Sequence, residues 1–230
     1  MAFEYLFTSL PSLPGDTGGR VTLEPSRLAA MCAEEGGSAA RLVQAILMRF
    51  DLKALERMEF GSDPSETAIF SKKELEERAD FPEWLSDALG SEAKGRAYPF
   101  DRVWDAYFRE LEILAGQSGS GFLKRWVNWE VGLRNAIAQL RAGRAGVDSA
   151  AYLMDGMSDE HAAIYRPIMD SLVSFMDAGF DSWREMDSYV NTLMIEKART
   201  LAPAYTFNTD ELLSYATQFT ILRGGSYLSH

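Results

Sequence analysis

Cysteine is nearly missing from this 230-residue chain, which has only Cys32. An intramolecular disulfide is impossible, a cysteine-rich metal site is excluded, and the lone thiol fits a reducing compartment. Histidine is almost as scarce, with His161 and His230 alone. Neither His-Glu-x-x-His nor Glu-x-x-His occurs, so zincin and di-iron carboxylate sites lack their ligands. A side-chain nucleophile needs a base beside it, and the chain offers few. The phosphate-cradling Gly-x4-Gly-Lys-Ser/Thr and Gly-x-Gly-x-x-Gly patterns are missing too. No cofactor or metal is expected. No apolar run approaches the roughly eighteen residues that a membrane-spanning helix needs. The opening Met-Ala-Phe-Glu-Tyr-Leu-Phe lacks the basic start and long apolar core of a secretory signal.

Positive charge is also in deficit. Asp and Glu number 34 against 23 Lys and Arg, a net charge of −11. Phosphate neutralisation needs a basic surface, so a nucleic-acid partner is not expected. Net charge says little about one local face and leaves room for a membrane approached through a protein partner. The expectation is a cytoplasmic protein, at most peripheral at the inner face of the cell membrane, with no direct insertion.

What is present favours helix. The chain is 47% hydrophobic, enough for a sizeable core. Leu, Ala, Glu, Met and Arg are plentiful and β-branched runs are few. Residues 3–10 form a short strand or a helix start, and 11–20, with two prolines and Gly18-Gly19, form a loop. Pro25 opens a helix that ends near Gly36-Gly37. Ser38 caps a longer one to about Met58, with Leu42, Ile46, Phe50 and Leu55 at helical spacing. Ser71 and Glu74 fit a capping box ahead of a helix over 72–80. Pro82 opens another, which fades at Gly90.

Asp101 caps a strong helix carrying Val103, Trp104, Tyr107, Phe108, Leu111 and Leu114. The glycine-rich stretch 116–121 links it to a helix of about six turns over 121–144. A link this short makes the two helices antiparallel neighbours. Asp148 starts a short helix to Met154, and Asp159 starts another with Ile164, Ile168, Leu172 and Phe175 on one face. Asp181 caps a helix through Leu201 that carries Trp183, Met186, Val190, Leu193 and Met194, and Pro203 closes it. Asn208 or Thr209 caps the last. The expectation is an all-α, irregular multi-helix array of about eight to ten helices. It forms one domain over 1–230, and any subdivision falls near 116–121.

The helix over 121–144 is the most informative element. Glu130 and Arg134 are four apart with the acid first, the favourable order for a helical ion pair. Asn135 adds an amide able to cap another segment's backbone, and Arg141 lies two turns beyond Arg134. Trp126 and Trp129 share the helix, and such a pair is more often packing than a ligand platform. Buried polar groups are costly unless paired, and the surrounding apolar residues point to burial. Glu130, Arg134, Asn135 and Arg141 therefore read as a structural polar cluster that ties this helix to its neighbours. An anion site at the same residues is the functional alternative. Cys32 reads as a small core residue and His161 as a surface residue beside an acidic cap.

The stretch Trp126–Arg144, with Trp129, Glu130, Leu133, Arg134 and Asn135 in order, resembles a family of uncharacterised proteins found with bacterial V-type ATPases. The starting segment Phe3–Leu13 and the later segment Phe207–Ala216, with the apolar run to Arg223, are similar to the ends of that family. The family in turn resembles the ring-capping C/d family of V- and A-type ATPases, whose helices carry an acid, then an Asn, then Leu-Arg, as do Glu130, Asn135, Leu140 and Arg141. After Arg223 only Gly-Gly-Ser-Tyr-Leu-Ser-His follows, whereas the family pattern continues with charged and aromatic residues; a docking role that needs that tail would be altered. The resemblance implies a funnel-like helical fold and a non-catalytic central-stalk or ring-associated accessory subunit. Its partners would be V/A-type ATPase rotor and membrane-ring subunits. A soluble helical protein-binding adaptor, and a ligand-binding protein or enzyme using Glu130 and Arg134, are the alternatives.

Overall fold

The computed structural model describes residues 3–15, 19–64, 66–78, 80–92, 95–154, 159–179, 182–202 and 204–224, with the backbone alone at 159–163. Helices follow one another along the chain: α1 (Glu4–Ser9), α2 (Pro25–Glu35), α3 (Gly37–Glu59), α4 (Lys72–Glu77) and α5 (Glu83–Gly90). Then come α6 (Asp101–Ser118), α7 (Gly121–Ala145), a single 3-10 turn (Ala150–Tyr152), α8 (Asp159–Asp177), α9 (Trp183–Leu201) and α10 (Thr209–Gly224). The protein is an all-α multi-helix array, and no strand occurs among the described residues. No helix among them is long and apolar enough to cross a membrane.

Local chemistry sets several of these boundaries. Pro25 opens α2, where its fixed φ suits a helix and its missing N–H costs nothing. The Ser71–Glu74 capping box forms: Ser71 Oγ accepts from the Glu74 N–H at 3.3 Å, and Glu74 Oε2 accepts from the Ser71 N–H at 2.7 Å. The Asn208 side chain accepts from the Glu211 N–H at 2.9 Å, ahead of the first helical residue, Thr209.

Other boundaries differ from the sequence reading. Ser38 does not cap α3. Gly36 and Gly37 have φ of 71° and 74°, so the chain reverses on left-handed backbone that glycine adopts freely, and α3 starts at Gly37. Asp101 is the first residue inside α6; Phe100 holds the cap position without a side-chain bond. The link at 116–121 shrinks to Gly119 and Ser120, because α6 continues through Gly116 to Ser118. Gly119, at φ 68°, makes the turn, and Ser120 Oγ accepts from the Leu123 N–H at 3.0 Å to cap α7. The helix expected from Asp148 to Met154 is only the 3-10 turn, with the Asp148 carboxylate accepting from the Ala150 N–H. Helix α9 is capped by Ser182. Asp181, Pro203, His230 and the side chain of His161 lie outside the described residues.

Three helices carry the interior. Helix α7 packs on α6, α8, α9 and α10, and α10 packs on α3, α7 and α9. Such helices have no broad solvated face, so their buried residues run around most of the circumference. Phe50 of α3 meets Phe219 of α10 edge to face, with ring centroids 5.9 Å apart. Gly132 lets α8 approach α7: a Cβ there would lie 3.4 Å from Ile164 Cγ2. Asp210 ties α10 to the start of α7, accepting from Ser120 Oγ at 2.6 Å and from the Phe122 N–H at 3.0 Å. This arrangement buries Glu130 and Asn135 of α7 against other parts of the chain, while Lys124, Arg125 and Arg144 are exposed.

Candidate functional site

Glu130 is 1% exposed, and a carboxylate so deeply buried requires a partner. That partner is Arg49 of α3, whose Nη1 donates to Glu130 Oε1 at 2.6 Å. The sequence reading pairs Glu130 with Arg134 alone. Arg134 Nε does approach the same oxygen, but at 3.7 Å, and its guanidinium lies over the Trp104 ring at 4.4 Å and the Phe108 ring at 5.1 Å. The cation is thus held by aromatic faces and by carboxylates together.

Asn135 faces a different neighbour. Its Oδ1 accepts from the Met154 N–H at 2.8 Å and its Nδ2 donates to the Met154 carbonyl at 3.4 Å, which pins the connection after the 3-10 turn onto α7. Arg141 lies outside the Arg49–Glu130 pairing, 5.3 Å from the Trp183 ring. Trp126 and Trp129 are buried 5.5 Å apart, and Trp126 stacks on Phe122. Cys32 is buried, and burial pushes its thiol up to about 11, away from thiolate chemistry.

The charged partners that Glu130 and Arg134 find outside α7 come from α3, where sequence reading picks out only the apolar positions. Arg49, Lys53 and Glu56 stand at i, i+4 and i+7, a charged stripe on a helix that is buried nearly all round. That spacing is the signal the sequence offers. Trp104 Nε1 donates to Glu56 Oε1 at 3.3 Å. Burial pushes the Glu56 carboxyl above the usual range, while Arg134 and Trp104 pull it back. Tyr107 donates to the Ile46 carbonyl at 3.4 Å, and burial raises its phenol. Asp51, also on α3, accepts from the Ile69 and Phe70 N–H groups at 2.7 and 2.9 Å.

Lys53 donates to the Gly224 carbonyl at the end of α10 at 3.2 Å. Burial, then Arg49 and Arg134, bring its ammonium down to about 7 from 10.5. The unfolded chain therefore binds this proton more tightly than the fold does. Its contribution to stability is least below pH 7 and grows as pH rises from about 7 toward 10.5. Lys53→Met is expected to raise the melting temperature at pH 6 and to flatten the rise of stability above pH 7. Thermal unfolding from pH 6 to 9 reads both effects; a lower melting temperature at pH 6 contradicts the assignment.

One cleft borders this network. Its volume is about 560 Å³, and Glu56, Asp101, Trp104, Arg134 and Arg141 are among the side chains that line it. Burial raises the Asp101 carboxyl, with Arg96 opposing. Of Glu130, Arg134 and Asn135, Arg134 alone lines the cleft, and Glu130 is internal. No group of three or more His, Cys, Asp or Glu able to hold a metal occurs among the described residues. The arrangement can fix helices in place and present guanidinium groups beside aromatic rings. Comparison of the chain with protein-family models, with curated proteins and with solved structures gives no match.

Proposed function

We propose that this chain is a non-catalytic accessory subunit of a bacterial V/A-type ATPase, acting at the central stalk or the membrane ring. The observation that carries the reading is the Trp126–Arg144 motif, which forms one long helix with Glu130, Arg134 and Asn135 directed at other parts of the same chain. Glu130 holds Arg49, Asn135 holds Met154, and Arg134 lies on Trp104. Coupling a rotor to a ring requires stiffness and shape, and internal polar ties across helices favour one rigid arrangement. An enzyme centred on Glu130 would need that carboxylate to reach a substrate. It is instead 1% exposed and committed to an arginine.

Affinity purification of the tagged chain from its native membranes tests the proposal. Rotor or membrane-ring subunits of a V/A-type ATPase are expected to co-purify. Their absence, in membranes that contain the ATPase, counts against it. The helical-adaptor alternative predicts recovery of another partner without those subunits.

A further inference from the structure

Residues 3–15 lie against the helical body as a separate strip. Leu6 is the buried residue of α1, at 3% exposure, while Tyr5 beside it is 80% exposed. A six-residue helix is marginal in water and holds its shape through what it packs on. The hydroxyls of Thr8 and Ser9 stay within α1, both donating to the Tyr5 carbonyl. Among the described residues, no backbone hydrogen bond joins this strip to the rest of the chain.

The polar ties among those residues come from α9 and α10. Tyr215 Oη donates to the Pro11 carbonyl at 2.8 Å. Arg199 donates through Nη1 to the Gly15 carbonyl and through Nη2 to the Pro14 carbonyl, both at 3.0 Å. The Nε of the same guanidinium donates to Gln218 Oε1 at 2.9 Å, which fixes it across α9 and α10. Nearer the start of the strip, Phe7 meets Phe207 edge to face, with ring centroids 5.6 Å apart. Phe207 and Tyr205 have left-handed backbone, at φ of 50° and 61°, which costs free energy in a residue with a side chain. The Glu211 carboxylate holds that turn, accepting from the Tyr205, Thr206 and Phe207 N–H groups at 2.7 Å each. The strip is thus pinned at two points by the corner between α9 and α10. It contributes carbonyls and one ring.

The three carbonyl ties are exposed, so water replaces each of them when the strip leaves and no buried polar group is stranded. Segments with little buried surface and exposed hydrogen bonds open locally, below the cost of global unfolding. We propose that residues 3–15 form a latched strap: they release as one unit when the Arg199 clasp opens. Release bares the surface of α2 on which α1 packs, while α3, α7 and α10 keep their packing. The strap does not rest on the ATPase reading.

Native-state hydrogen exchange of the full chain, followed by NMR at urea concentrations below the unfolding transition, tests this. The Phe7 and Leu10 N–H groups, bonded to the Phe3 and Leu6 carbonyls, report on α1. They are expected to share one opening with a small urea dependence, since little surface is exposed, whereas α7 amides exchange with the large dependence of global unfolding. Arg199→Ala is expected to speed the Phe7 and Leu10 exchange at least about tenfold, through loss of two charge-assisted bonds, with α7 and α10 still protected. Because that change also frees Gln218, a second variant reaches the strap from the other side. A Cβ at Gly19 would lie 2.2 Å from Pro14 Cβ, and Gly19 does not have left-handed backbone. Gly19→Ala therefore pushes Pro14 off the clasp and is expected to speed the same amides. Asp51→Ala, which weakens the body, is expected to leave them at the parent rate. Three results overturn the proposal: α1 and α7 amides with the same urea dependence, Phe7 and Leu10 rates unchanged in Arg199→Ala or Gly19→Ala, or Phe7 and Leu10 rates that rise in Asp51→Ala as much as those of α7.

Discussion

Arg49→Met is expected to destabilise the fold by about 3–5 kcal/mol, the usual cost of stranding one member of a buried ion pair. The reason lies in where the remaining charge goes. Glu130 is 1% exposed, and the Arg49 Nη1 at 2.6 Å is its short partner. Arg134, at 3.7 Å and drawn toward Trp104, cannot replace that bond without leaving the ring. Glu130→Leu leaves Arg49 as the stranded charge and is expected to cost a similar amount. The double variant R49M/E130L removes both charges and keeps apolar volume in their place. Replacement of whole buried pairs by apolar residues is often neutral or stabilising, so the double variant is expected to lie within about 1.5 kcal/mol of the parent, the usual range for volume-conserving swaps. Urea unfolding of the four proteins gives the coupling directly. Additive losses in the double variant would contradict a paired role.

Asp51→Ala carries the second large effect. The Asp51 carboxylate accepts from two backbone N–H groups, of Ile69 and Phe70, and so fastens the segment before α4 to α3. Alanine leaves both donors without that acceptor, at about 1–3 kcal/mol each. Burial raises the Asp51 carboxyl to about 6 from 3.8, against the lowering by the two N–H groups. The fold therefore binds this proton more tightly than the unfolded chain. That contribution is fully present below about 3.8 and is lost as pH rises through about 6. The gap between parent and Asp51→Ala should accordingly be widest near pH 4 and narrow toward pH 7.5. Chemical denaturation at the two pH values measures it; a gap that widens with pH would contradict the raised carboxyl.

Much of the fold is legible in the sequence because most helices have one apolar face. The stripes of α6 and α9 and the Ser71–Glu74 box belong to that class. Reading fails where a residue's local preference yields to backbone geometry. Gly36 and Gly37 turn the chain without Ser38, and Gly119 alone turns it where six residues look like a link. Trp183, counted with the apolar positions of α9, is 40% exposed beside Arg141 and Arg144.

The polar network is half legible. Glu130, Arg134 and Asn135 stand out because they sit among tryptophans on α7. Arg49 and Glu56, the α3 partners of Glu130 and Arg134, do not, because a charged residue between apolar positions is ordinarily read as solvated. On a helix buried nearly all round that inference reverses: Arg49 and Glu56 have nowhere to point but inward. Which acid meets which base is a matter of tertiary contact, and the 81 residues between Arg49 and Glu130 carry no local trace of it.

The central claim is that α7 serves through shape and not through reactive groups. Recovery of rotor or ring subunits from native membranes by R49M/E130L, beside the parent chain, tests it most directly. Equal recovery is predicted wherever the double variant keeps its helicity and melting temperature. Loss of recovery by a double variant that remains folded would show that the charges themselves do the work.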